Sequence, residues 1–128
     1  LSYQKIIAFD LDDVICHRTS EEGGVAKYHT CLPNEDMIKI VNECYKNGYK
    51  VVIYTARGMD TFKGRVHDVY DKLYDLTKAQ LFKWNVAYDQ LVMGKIPYSL
   101  IVDDKAVNSS QIKSFQDVED NLNKYSTK

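Results

Sequence analysis

Short, nearly continuous apolar runs alternate along this chain with stretches in which apolar residues recur every three or four positions. Residues 5–11 (KIIAFDL) form the first run, and its continuity predicts a strand covered on both faces. Residues 14–18 and 25–29 flank the polar, glycine-containing stretch TSEEGG, a pattern that suits either a short hairpin flap or a plain loop. Pro33 and Asn34 open a helix whose apolar stripe is Met37, Ile40, Val41, Cys44 and Tyr45, and Gly48 closes it. A second strand is expected at 50–56 (KVVIYTA). The helical period then runs through Phe62, Val66, Val69, Leu73, Leu76 and Leu81 to about Trp84. Strands are expected at 87–93 (AYDQLVM) and 98–103 (YSLIVD), and a last amphipathic helix over 115–125.

This order predicts an α/β fold, a three-layer Rossmann-like sandwich around a mostly parallel central sheet. The 128 residues are expected to form a single domain with no separate cap domain, the segment 14–33 being a flap-sized insertion. In open parallel sheets the ligand crevice lies outside the carboxyl ends of the strands. The polar residues fall there: Asp10 and Asp12 after the first strand, Thr55 and Arg57 after the second, Gly94 and Lys95 after the third, Asp103 and Asp104 after the fourth.

Composition and charge then narrow the classes. A chain 45% apolar and 27% charged is ordinary for a globular protein, and a net charge of −1 with no basic run argues against nucleic acid or membrane as a partner. Cys16, Cys31 and Cys44 are odd in number and lack paired zinc-site spacing, so reduced thiols and a cytoplasmic location are expected. The opening LSYQKIIAFDL, interrupted by Asp10, reads as neither signal peptide nor membrane span.

Crowded carboxylates at a buried strand end repel one another and lose hydration. A divalent cation among them relieves both costs, and hard oxygen donors beside phosphate suit Mg²⁺. A carboxylate approaching a phosphate dianion feels repulsion on the order of 8 kcal/mol at about 4 Å and an effective dielectric of about 20. Lys95 is the strand-end cation placed to offset it, with Lys105 as the other candidate, and the Thr55 hydroxyl can hold transferring oxygens. Two aspartates at i and i+2 can divide the chemistry, Asp10 attacking and Asp12 serving as acid and then base.

The segments FDLDDV, VVIYTAR and GKIPYSLIVDDKA, in this order, resemble the motifs of the haloacid dehalogenase superfamily of phosphohydrolases. The resemblance spans about residues 5 to 107. It implies that Asp10 is the nucleophile and a metal ligand, and that Asp12 is the acid/base with its carbonyl on the metal. It further implies that Thr55 binds phosphate, that Lys95 is the motif lysine, and that Asp103 is the acidic Mg²⁺ ligand with Asp104 beside it. TARG and GKIPYSLIVDDKA are closer still to small capless members associated with capsule and surface-polysaccharide biosynthesis. Two departures stand out: Asp13 occupies a position where Gly is common, and Ile96 separates Lys95 from Pro97.

The expected activity is therefore Mg²⁺-dependent hydrolysis of a small phosphorylated metabolite, with a sugar phosphate as the candidate. Arg57, His17 and His29 are the candidate substrate-binding residues. Tyr70 and Tyr74 suit either core or subunit contact, and a capless, tyrosine-rich chain is expected to form a homo-oligomer. Two alternatives compete. A non-catalytic binding module could keep the same fold. A phosphoacceptor receiver domain has the same class, but would carry an aspartate at the end of its third strand, where this chain has Gly94 and Lys95.

Overall fold

The computed structural model describes residues 4–20 and 23–125. Three parallel strands form the central sheet: β1 (Ile6–Phe9), β4 (Lys50–Tyr54) and β5 (Gln90–Val92), in the order β1-β4-β5. Between β1 and β4 lie β2 (Cys16–His17), a short helix α1 (Ala26–His29), β3 (Leu32–Pro33) and helix α2 (Glu35–Lys46). Helix α3 (Val66–Lys83) connects β4 to β5. A 3-10 turn at Ser109–Gln111 and helix α4 (Phe115–Tyr125) complete the chain. The fold is α/β, a mostly parallel sheet flanked by helices, as expected from the alternation of elements.

Register explains which side chains enter the core. Ile7 lies beside Val51, Phe9 beside Ile53, and Ile53 beside Leu91. Neighbours in a ladder share a face, and on this face Phe9, Val51, Ile53 and Leu91 are buried. They join Val41 and Cys44 from α2 and Val69, Leu73 and Leu81 from α3 in one core. Both crossovers run in one direction across the sheet, so right-handed connections bring both helices to the same face. Asn34 caps α2 by accepting from the Met37 N–H at 3.2 Å, as the sequence signal predicts. Gly48, at φ 89°, ends it.

Three expectations change. The expected fourth strand, 98–103, makes no ladder: it bends at Ser99 and lies exposed, with Leu100 and Val102 at 79% and 92% exposure. Among the described residues the outer edge of β1 is therefore unpaired, and Ile6 on it is 60% exposed. An apolar β-branched run carries strand propensity, but only a partner edge makes it a strand. The second arm of the flap is also different. Residues 25–29 do not pair with 14–18; α1 forms there, and Leu32–Pro33 supplies the antiparallel partner of Cys16–His17. Tyr28 is the buried side chain of α1, so the local packing follows one anchor rather than an alternating face. The third change is at α3, which starts at Val66, four residues after Phe62, because residues 59–64 form turns with Lys63 and Gly64 at positive φ.

Candidate functional site

Asp10 follows the carboxyl end of β1, where the strand's last backbone groups leave the ladder. The Leu11 N–H donates to its Oδ1 at 2.8 Å, which fixes the carboxylate, and its side chain is 40% exposed. Lys95 arrives from the end of β5, its position set by the Lys95 N–H bond to the Thr55 carbonyl. Its Nζ lies 3.5 Å from Asp10 Oδ2 and within 5.1 and 5.5 Å of the Tyr98 and Tyr54 ring centres. Partial burial opposes the charge on Lys95, but the Tyr98 side chain and the Asp10 carboxylate outweigh it and hold its pKa above the ordinary lysine value. Between the two candidate lysines, Lys95 is the one that pairs with Asp10 in the structure.

Thr55, one residue past β4, is buried, and its Oγ1 accepts from the Arg57 N–H at 3.0 Å. Asp10, Lys95, Tyr54 and Tyr98 line a groove of about 1010 Å³ that also takes in the residues of β1, and Asp103 and Lys105 line it too. Asp103 Oδ1 accepts from the Lys105 N–H at 3.1 Å. That bond, with help from the Asp104 side chain, lowers the Asp103 pKa. Asp103 and Asp104 lie on an exposed loop. Asp10, Asp103 and Asp104 share no tight cluster.

Among the described residues, one trio of side chains able to hold a metal ion converges: Asp12, Cys16 and Cys31, with ligand atoms within 4.8 Å of one another. This possible metal-binding triad is rich in sulfur, which suits a softer ion than Mg²⁺. Arg57 already lies against all three members. Its Nη2 is 2.8 Å from Asp12 Oδ1, 3.6 Å from Cys16 Sγ and 3.7 Å from Cys31 Sγ. Burial pushes both thiols up, and the nearby Asp12 charge adds to it, so neither is a ready thiolate. The hard-oxygen donors that suit Mg²⁺ lie in the groove, where Asp10 offers an open carboxylate and room remains for water.

The remaining candidates fall as follows. His17 and His29 are both exposed on the flap. Arg57, expected to meet substrate, is instead 2% exposed and turned inward. Its inward turn was not legible in TARG, because its partners Thr77 and Gln80 come from α3, 20 and 23 residues later. Asp13 adopts φ 70°, a conformation that Asp tolerates better than most residues. Its carboxylate is exposed and pairs with Arg18 at 3.6 Å. Gly58 adopts φ 80°, and a side chain there would collide with Leu73. The Tyr70 hydroxyl accepts from the Met93 N–H at 2.9 Å, and its ring packs on Tyr74 at 5.3 Å.

No family model matches the chain, and no curated protein matches it. Solved structures do. A crystal structure of an MCSG target from Vibrio cholerae is 27% identical, covering 94% of this chain and 98% of that one, with a TM-score of 0.78. Two chains from structures of the Pnkp1/Rnl/Hen1 RNA repair complex match at TM-scores of 0.53 and 0.54 and 18% and 17% identity. They cover 76% and 85% of this chain, but only 27% and 33% of their own length. At that identity the likeness is one of fold. No described helix is long and apolar enough to cross a membrane. The chain therefore shares a small Rossmann-like α/β fold with these structures over most of its length.

Proposed function

We propose that this protein is a Mg²⁺-dependent phosphomonoesterase of the haloacid dehalogenase type, acting through an aspartyl-phosphate on Asp10. One observation carries the reading. A half-open carboxylate at the end of β1 pairs with a lysine from the end of β5 at the lining of a groove, and β4, the strand between theirs, ends at a buried threonine.

The chemistry follows from these positions. With Oδ1 held by a backbone N–H, Asp10 presents a fixed carboxylate to phosphorus. Its attack breaks the phosphorus–oxygen bond to the leaving group, and Asp12 supplies the proton that the leaving oxygen takes. Water then attacks the aspartyl-phosphate, Asp12 takes a proton from it, and phosphate departs to regenerate Asp10. The Lys95 ammonium offsets the repulsion between carboxylate and phosphate. The Thr55 hydroxyl, already an acceptor for Arg57, keeps its own hydrogen to donate to a phosphoryl oxygen. Asp10 and Asp103 would hold Mg²⁺, together with the Asp12 carbonyl, and the ion would supply further positive charge beside the transferring phosphoryl group.

In this reading segment 98–103 closes toward the open edge of β1 when the ion binds, carrying Asp103 with it. The two are complementary: one is an unpaired edge, the other an exposed apolar run with strand propensity. The substrate class in this reading is a small phosphorylated metabolite, with a sugar phosphate of surface-polysaccharide synthesis as the candidate. His17 and His29 on the flap are the candidates to touch its leaving portion, in a cytoplasmic homo-oligomer.

The test is turnover of a panel of phosphorylated sugars and nucleotides, with Mg²⁺ and with chelator, by the wild-type protein and Asp10→Asn. Metal-dependent phosphate release that disappears in a folded Asp10→Asn variant is the expected result. Undiminished release by that variant would overturn the aspartyl-phosphate route.

A further inference from the structure

We propose that Arg57, held from behind by α3 and the flap, is the positioning residue for the Asp12 carboxylate and does not itself touch substrate. The inference rests on the phosphatase reading, in which Asp12 exchanges a proton with the leaving oxygen and then with water.

The guanidinium is committed on every side. Nε and Nη2 donate to the two oxygens of Asp12 at 3.1 and 2.8 Å, a bidentate fork that fixes the carboxylate plane. Nη1 donates to Gln80 Oε1 at 2.6 Å and to Thr77 Oγ1 at 3.2 Å, both on α3. The Tyr28 ring centre lies 4.9 Å from the guanidinium carbon, and the two thiols complete the enclosure. A residue that recognises substrate must present donors to the groove. The Arg57 side chain is wholly buried, whereas Asp12 keeps 14% of its side chain exposed. The arginine is thus wholly enclosed, and of the pair it is the carboxylate that keeps solvent-accessible surface.

The anchor extends beyond the pair. Gln80 Nε2 donates to the Tyr28 carbonyl at 2.6 Å, and the Gly58 N–H donates to the Tyr28 hydroxyl at 3.0 Å. Helix α3, flap helix α1 and the turn after β4 are therefore tied to one guanidinium. A buried charge with this many partners is costly to displace, so the fork has one geometry. A lone aspartate on the turn after β1 would otherwise sample several rotamers, few of which meet the leaving oxygen.

Leaving-group dependence tests this. An alkyl phosphate needs a proton on its leaving oxygen; p-nitrophenyl phosphate does not, because nitrophenolate leaves unprotonated. The value of kcat/KM, which reports the first chemical step, is measured with Mg²⁺ for both esters in the wild type, Arg57→Met, Arg57→Lys and Gln80→Met. Arg57→Met is expected to lower kcat/KM on the alkyl ester by about 10²-fold or more, and on the aryl ester by less than about tenfold. Arg57→Lys should recover part of the alkyl loss, since it restores charge without the fork. Gln80→Met keeps the ion pair, guards against an Arg57→Met chain that does not fold, and should show the same selectivity at smaller size. An equal fall on both esters, or no change on either, in a folded variant overturns the positioning role alone. A wild-type protein that hydrolyses neither ester overturns the phosphatase reading and this inference with it.

Discussion

Lys95 Nζ lies 3.5 Å from Oδ2 of Asp10, joining the carboxyl ends of two strands that are not neighbours in the sheet. The pair bridges over β4, whose Tyr54 ring and Thr55 carbonyl support the lysine from below. The carboxylate that the proposed reaction makes its nucleophile and the ammonium that would offset a phosphate beside it are therefore already in contact.

That pairing separates the two lysines. Lys95→Met should lower kcat on phosphomonoesters by about 10²-fold or more, the scale of removing one preorganised charge donor. Lys105→Met should leave kcat within about threefold, because surface charges away from the reacting atoms have small effects. Steady-state kinetics on both variants decides it, and the reverse ranking would move the role to Lys105.

Metal dependence gives a second expectation. Asp103→Ala should raise the Mg²⁺ concentration needed for half-maximal turnover more than Asp104→Ala does, because Asp103 lines the groove with Asp10. Calcium should bind and inhibit: its larger coordination sphere lets Asp10 engage the ion through both oxygens, which leaves none to attack. Metal titrations of activity read both effects. Equal metal requirements in the two variants would remove Asp103 from the ligand set.

The open edge of β1 makes a third. If segment 98–103 closes on it when the site is loaded, backbone amides at Ile6–Phe9 and across 98–103 should become protected together. Hydrogen exchange with Mg²⁺ and inorganic phosphate, against exchange without them, measures this, with light scattering in parallel. Protection at unchanged mass is the expected outcome. Protection that appears only as mass doubles would assign the edge to a second copy of the chain.

A fourth concerns stability. The Tyr49 hydroxyl donates to Glu119 Oε2 at 2.8 Å, tying the turn before β4 to α4. That bond, with desolvation and the Glu119 charge, raises the Tyr49 pKa. A raised pKa stabilises the fold fully below the unfolded-state value and is lost as pH rises through the folded one. Tyr49→Phe should therefore cost about 1 kcal/mol at neutral pH. The difference from wild type should shrink above pH ~10, the ordinary tyrosine value. Urea unfolding at neutral and alkaline pH measures both ends of that window.

Much of the molecule follows from its sequence, and the physical reason is locality. The cap at Asn34 and the stripe from Met37 to Cys44 specify α2 from within the helix, and 115–125 reads as α4 from its own period. The placing of Asp10, Thr55 and Lys95 at strand ends is also local, because each directly follows an apolar run. What tertiary structure decided involves partners distant in the chain. Leu100–Val102 has the composition of a strand, but a ladder needs a neighbouring edge, and here none is engaged. Residues 25–29 were too short for period to separate strand from helix, and the burial of Tyr28 between Arg57, Gly58 and Gln80 settled the matter. Arg57 is the clearest case. TARG places an arginine at the crevice, but its direction depends on Asp12 before it and on Thr77 and Gln80 after it. No local pattern carries that information, because the guanidinium takes its direction from charges and dipoles that only folding brings within 3 Å or so of it.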